Sequence, residues 1–132
     1  MLIQTALTSL LWAVSLAAPT VLEERADTYC GSNTYSSSAV KSAANTAKQR
    51  VQADSQVSGY PHVFNNYEGF SFGIGRPFYE FPILTSGIYK GGSPGADRVV
   101  INEDGSIGGL ITHTGASSSG GFVGCTGSYG VS

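Results

Sequence analysis

Val40, Ala43, Ala44, Ala47 and Val51 recur at the three- and four-residue spacing of one helical face, while Lys41, Lys48 and Arg50 fall off that stripe. The spacing predicts a helix over 38–53, with Ser36, Ser37 and Ser38 as N-cap candidates and its alanine-rich side laid on a sheet. Beyond Gly59 the period shortens. Apolar or alternating runs at 60–64, 78–84, 98–102, 107–114 and 122–125 are cut by turn residues and read as strands. Asp104-Gly105 is a hairpin turn between the third and fourth, and 91–97 and 116–121 are loops. A helix followed by a run of strands predicts an α+β domain: one α-helix packed on a twisted antiparallel β-sheet.

The N-terminal pattern is different. Residues 2–18 carry no charge and centre on an apolar run from Leu10 to Val14, with Ser15 and Ala17 as the small residues of a cleavage site. They predict a secretion signal over 1–17. The acidic piece that follows ends at Arg25 and is expected to be a propeptide over 18–25, leaving a domain over 26–132. At 132 residues the chain has room for a single domain. Outside the leader no run approaches the roughly 20 apolar residues of a membrane span, so no membrane partner is expected. Only 12% of residues are charged and the net charge is −2, which argues against a polybasic nucleic-acid arm and against an acidic disordered chain.

In a small secreted domain the even cysteine count favours a Cys30–Cys125 disulfide closing a loop of about 95 residues. Two cysteines and two histidines without ligand spacing are too few for a structural zinc site, and no metal or cofactor is expected.

Candidate chemistry follows from the period of two. Tyr60 and His62 point to one face of their strand, and Glu80 is the only charge in the apolar strand around it. Arg98 opens the next strand and His113 interrupts the one after, so neighbouring strands can gather His62, Glu80, Arg98 and His113 on one face. Such a set suits phosphoryl transfer without a metal. A carboxylate takes a proton from an attacking hydroxyl, an imidazolium protonates a leaving oxygen, and an arginine fork holds phosphate oxygens. A structural Glu–Arg pair with two exposed histidines would read the same way. A second cluster is Phe64-Asn65-Asn66-Tyr67-Glu68-Gly69. Asn-Asn tolerates left-handed backbone and exposes successive N–H groups, and a ring and a carboxylate follow. Those groups match the acceptor and donor edges of guanine, although on local sequence alone an ordinary turn with a solvated Glu68 is the better-supported reading. Gly91-Gly92-Ser93-Pro94-Gly95 lacks the Lys-Ser/Thr and the helix of a phosphate loop and is read as a turn.

Taken in order, Cys30-Gly31-Ser32-Asn33, Tyr60-Pro61-His62, Asn65-Asn66-Tyr67-Glu68-Gly69-Phe70, Glu80 with Pro82-Ile83-Leu84, the run from Gly91 to Val100, and the run from Thr112 to Ser117 resemble the secreted fungal guanyl-specific ribonucleases (the T-one type). The resemblance implies the microbial ribonuclease fold and a transphosphorylase that cuts single-stranded RNA after guanosine. It makes Glu80 the general base, supported by His62, and His113 the general acid. Tyr60 and Arg98 would hold the phosphate and Phe122 would line the site. Base recognition falls on Asn65, Asn66, Tyr67 and Glu68, with Phe64 beside the guanine. A monomer acting on RNA and not DNA is expected.

The sequence departs from the family in several places. Ala26 and Thr34 stand where the best-known members carry a second disulfide, so the N-terminal hairpin is less stapled. Phe64 replaces a common tyrosine. The loop over 117–121 differs in length and lacks asparagine, so no base contact is assigned to it. The tail over 127–132 extends past the usual end and is expected to fray.

Rival readings are a ribosome-targeting or broader-specificity ribonuclease, a non-catalytic secreted effector on the same fold, and a two-carboxylate glycosidase. The first binds large RNA through long basic loops, and no Lys/Arg run is present. The second requires loss of the Glu/His/Arg set. The third would use sugar-binding aromatics in place of histidines and an arginine.

Overall fold

A hydroxyl starts the helix. The Ser36 Oγ accepts the Ala39 N–H at 3.1 Å, satisfying one of the free donors of the first turn. Helix α1, Ser37–Gln52, then buries Ser37, Val40, Ala43, Ala44 and Ala47, a face small enough to lie close on a sheet. It stops at Ala53, and Asp54 turns left-handed with φ 51°. Arg50 in the last turn suits the negative helix end. The computed structural model describes residues 26–132; the expected signal and propeptide lie outside the described residues.

Strands β1 (Asp27–Cys30) and β2 (Asn33–Ser36) precede the helix as an antiparallel hairpin. After it come β3 (His62–Phe64), β4 (Phe78–Pro82), β5 (Asp97–Asn102), β6 (Ile107–Thr112), β7 (Val123–Gly124) and β8 (Thr126–Gly127). β3 to β7 form one antiparallel sheet in sequence order, and β2-β1-β8 form a smaller one. The helix-on-antiparallel-sheet expectation holds. β3, β4 and β6 are shorter than the expected strands over 60–64, 78–84 and 107–114, and two other boundaries moved for physical reasons. Asp97, expected in a loop, opens β5 because its carboxylate is 2% exposed and fully used. It accepts Thr112 Oγ1–H at 2.6 Å, Asn33 Nδ2–H at 2.9 Å and the Tyr35 hydroxyl, so it pins the hairpin to the main sheet. Burial, and then Asp97 itself, push the Tyr35 hydroxyl well above the usual phenol range. The expected strand over 122–125 shortens to β7, which pairs with β6, and an unexpected β8 follows just beyond it and pairs with β1.

Alternation sorts the main sheet into two faces. Phe81, Val99, Ile101 and Leu110 meet Val40, Ala43, Ala44 and Ala47 of the helix in the larger core. On the opposite face Phe64, Phe72, Phe78, Val100 and Ile111 form a second cluster, and Glu80 and Arg98 share that face.

The tail does not fray. The Thr28 Oγ1 accepts the Tyr129 N–H at 2.9 Å, and the Tyr129 carbonyl accepts the Leu110 N–H at 2.9 Å. Tyr129 packs on the larger core and Val131 on the smaller one, so the tail has both apolar anchors and backbone partners.

Cys30 and Cys125 are bonded, with 95 positions between them and both side chains in the larger core. Closing such a loop contributes about 4 to 5 kcal/mol in the chain-entropy picture. Reduction and alkylation should therefore lower the Tm by roughly 20 °C in thermal unfolding. An unchanged Tm would show that the bond adds nothing to the packing.

Candidate active site

Register brings the first group together. In the β3–β4 ladder His62 lies opposite Glu80, and in the β4–β5 ladder Arg98 lies opposite Pro82, two positions from Glu80 on the same face. The Glu80 carboxylate, 7% exposed, is held at both oxygens. Arg98 Nε–H donates to Oε1 at 3.1 Å, and His62 Nε2 stands 3.0 Å from Oε2. His62 Nδ1 faces the Gly59 carbonyl at 3.1 Å. Each ring nitrogen of His62 therefore faces an oxygen acceptor. Tyr60 stacks on His62 with centroids 4.7 Å apart.

Arg98 is the floor of the site. It is 3% exposed, and most of its donors are committed. Nη1 donates to the carbonyls of Gly95 at 2.8 Å and Asp97 at 3.0 Å, and Nη2 to the Tyr60 hydroxyl at 3.3 Å. The expected two-pronged hold on a phosphate is thus spent on the protein. One Nη2 hydrogen and the fixed positive charge remain beside the Tyr60 hydroxyl and Glu80. The guanidinium carbon lies 5.2 Å from the Tyr60 ring and 5.9 Å from the Phe122 ring. Phe122 bridges to the second group, since its ring stacks on His113 with centroids 3.9 Å apart. His113 follows the end of β6, anchored by its N–H on the Ala96 carbonyl at 2.9 Å. Its Nδ1–H donates to the Gly121 carbonyl at 2.7 Å, which leaves Nε2 to carry and deliver a proton.

The second constellation sits at the other end of an open groove of about 270 Å³ lined by His62, Phe64, Asn65, Tyr67, Glu68 and Phe122, among others. Asn66 is left-handed, with φ 62°. Its side chain is turned inward: Oδ1 accepts the Phe70 N–H at 2.8 Å and Nδ2 donates to the Phe70 carbonyl at 2.9 Å. The Asn66 main-chain N–H is then the group of this residue that is left without a partner among the described residues. Among the described residues no acceptor takes the N–H of Asn66, Tyr67 or Glu68. Tyr67 is 90% exposed at the rim, whereas Phe64 is buried in the smaller core and supports the loop from beneath. Glu68 lies exposed in a turn, as the sequence also allowed, but its carboxylate is not wholly free. Its Oε2 accepts the Phe122 N–H at 3.0 Å and leaves Oε1 unengaged.

Sequence reasoning missed how the groups are tied. One dipeptide, Gly121-Phe122, holds His113 by its carbonyl and ring and Glu68 by its N–H. The loop before it gave no such signal, because glycine and serine runs specify no register. A larger hollow of about 440 Å³ between the end of α1 and β3 shares His62 and Val63 with the site and holds neither Glu80 nor His113.

The geometry predicts a graded response. On the roles that the resemblance implies, Glu80→Ala should slow cleavage less than His113→Ala, because His62 stands next to the vacated position and would take the proton. Single-turnover rates of Glu80→Ala, His62→Ala and the double variant test this. Multiplicative single effects would show that the two do not share the role.

Fold and site together define a small α+β protein whose sheet carries acid–base and cationic groups in one groove. The chain matches the ribonuclease family model over residues 23–126 and belongs to the ribonuclease family; the match stops just short of the tail. It is 53% identical to guanyl-specific ribonuclease T1 of Aspergillus oryzae over 124 residues, 91% of this chain and 94% of that one. It is 55% identical to extracellular guanyl-specific ribonuclease Fl1 of Gibberella baccata over 101 residues, 75% of this chain and 95% of that one. Among solved structures, the ribonuclease of Hericium erinaceus, RNase He1, superposes with a TM-score of 0.58 at 38% identity, covering 76% of this chain and 98% of that one.

Proposed function

We propose that the chain is a secreted, guanyl-specific endoribonuclease that acts as a monomer on single-stranded RNA. The observation that carries this is the Glu80 carboxylate held between Arg98 and His62, in a groove that ends at the free Glu68 Oε1. Glu80 accepts the proton of the ribose 2′-hydroxyl as its oxygen attacks the adjacent phosphorus. Arg98 and the Tyr60 hydroxyl stabilise the charge that grows on the phosphate oxygens. His113 Nε2 gives its proton to the departing 5′-oxygen, leaving a 2′,3′-cyclic phosphate. Water then enters with the roles reversed, His113 taking a proton and Glu80 returning one, to give a 3′-phosphate.

Guanine fits the other end of the groove. The N–H groups at 66–68 can donate to O6 and N7, and the Glu68 carboxylate can accept N1–H and N2–H while Tyr67 covers the ring. A non-catalytic effector would not need a buried carboxylate gripped by an arginine and a histidine, and nothing favours a ribosome-targeting role. Secretion is supported by the apolar leader, the disulfide and the extracellular relative. A mass spectrum of the secreted protein should place its start at Ala26.

The reacting groups proposed here are all side chains. Purified protein should therefore cut RNA in EDTA and leave the matching DNA, which lacks the internal nucleophile, intact. Cleavage of DNA, or activity lost in chelator and restored by Mg²⁺, would overturn the mechanism.

A further inference from the structure

The tail over 127–132 supplies nothing to the acid–base group, yet it reaches the element that carries the base-recognition loop. The Ser132 carbonyl accepts the Ser71 N–H at 2.9 Å. Val131 packs against the cluster of Phe64, Phe72, Phe78, Val100 and Ile111, which Phe70 and Phe122 also join. Phe70 is the residue whose N–H and carbonyl are both gripped by the Asn66 side chain. A continuous path therefore runs from Val131 and Ser132 through Ser71 and Phe70 to the left-handed turn at Asn66.

The sheet is bare where the tail lies. A Cβ placed on Gly124 would overlap the Val131 carbonyl, so only glycine lets the tail approach β7 this closely. A Cβ on Gly108 would stand 2.9 Å from the Phe72 side chain, so β6 is open where that ring sits. The backbone of the tail is fixed in this seat, with the Leu110 N–H on the Tyr129 carbonyl and the Val131 N–H on the Cys125 carbonyl at 3.1 Å. Mere covering of an apolar edge would not require a bond to Ser71.

We propose that this tail is a strap that positions the recognition loop, with Val131 and Ser132 as positioning residues for guanine selection. The inference rests on the reading of 65–68 as the guanine site. Two variants unseat the strap by different means: removal of residues 130–132, and Gly124→Ala, which fills the seat in an otherwise full-length chain. Each should lower kcat/KM for GpC by roughly ten- to hundredfold through KM, since the loop would no longer present its donors in register. Cleavage of ApC should fall less, by under about threefold, because it loses only the support that the loop gives Phe122 through Glu68. Val131→Gly should reproduce the loss and Val131→Ile should preserve activity, both assayed well below their own Tm values. If the truncated chain fails to fold, the Val131 pair and Gly124→Ala decide the matter alone. A variant that has lost stability but keeps its G-over-A ratio would overturn the strap and leave the guanine reading standing. An intact chain that cuts GpC and ApC equally would remove the guanine reading, and the strap with it.

Discussion

Replacing His113 with alanine is expected to slow RNA cleavage by about 10² to 10⁴-fold, the usual worth of a positioned general acid. The ring lies at the surface end of β6, held by the Gly121 carbonyl and the Phe122 face, and it belongs to neither apolar core. Under the proposed mechanism its loss removes the proton given to the departing 5′-oxygen and little packing, so the Tm should move by no more than a few degrees. The loss should be smaller on a substrate whose leaving group needs no protonation, such as a guanosine 3′-phosphate aryl ester. Near-normal turnover of GpC by His113→Ala, with the protein folded, would remove His113 from the mechanism.

Glu68→Ala is expected to collapse base choice. Guanine presents N1–H and N2–H side by side, and one carboxylate accepts both, whereas adenine has an acceptor at N1. Charge-assisted hydrogen bonds contribute roughly 1.5 to 3 kcal/mol each, so losing a pair costs about 3 to 6 kcal/mol. At about 1.4 kcal/mol per tenfold, kcat/KM for GpC should fall by on the order of 10² to 10⁴. The structure adds a second consequence. Glu68 also accepts the Phe122 N–H, and Phe122 stacks on His113, so its removal loosens the seat of the acid. ApC cleavage should therefore fall too, by less than about tenfold. The G-over-A ratio still narrows, because the direct contacts outweigh the indirect one. Specificity constants for GpC and ApC on both proteins check this, and an unchanged ratio would assign base choice elsewhere.

What the sequence made legible was whatever follows from periodicity. The stripe from Val40 to Val51 placed α1 within a residue at each end, because burial of a helix face enforces that spacing. The alternation around Glu80 and Arg98 put them on one face for the same reason, and the register then set them in contact. Features that depend on single long-range bonds were not legible. Nothing local distinguishes Asp97 in a Gly-Ala-Asp turn from a solvated carboxylate, since its partners Asn33, Tyr35 and Thr112 are distant in the chain. The inward turn of the Asn66 side chain, and the spending of the Arg98 donors on Gly95 and Asp97, depend likewise on loop geometry. The tail was misjudged because its anchors, Tyr129 and Val131, stand among glycines and serines that read as unstructured.

The most direct measurement is the cleavage of a single-stranded RNA oligonucleotide containing one guanosine among adenosines and pyrimidines, with the product ends identified by mass. The account predicts one early cut, on the 3′ side of the guanosine, with a guanosine 2′,3′-cyclic phosphate on one fragment and a free 5′-hydroxyl on the other. Later samples should show the cyclic end opened to a 3′-phosphate. Early cuts spread over several bases, or fragments that begin with a 5′-phosphate, would contradict it.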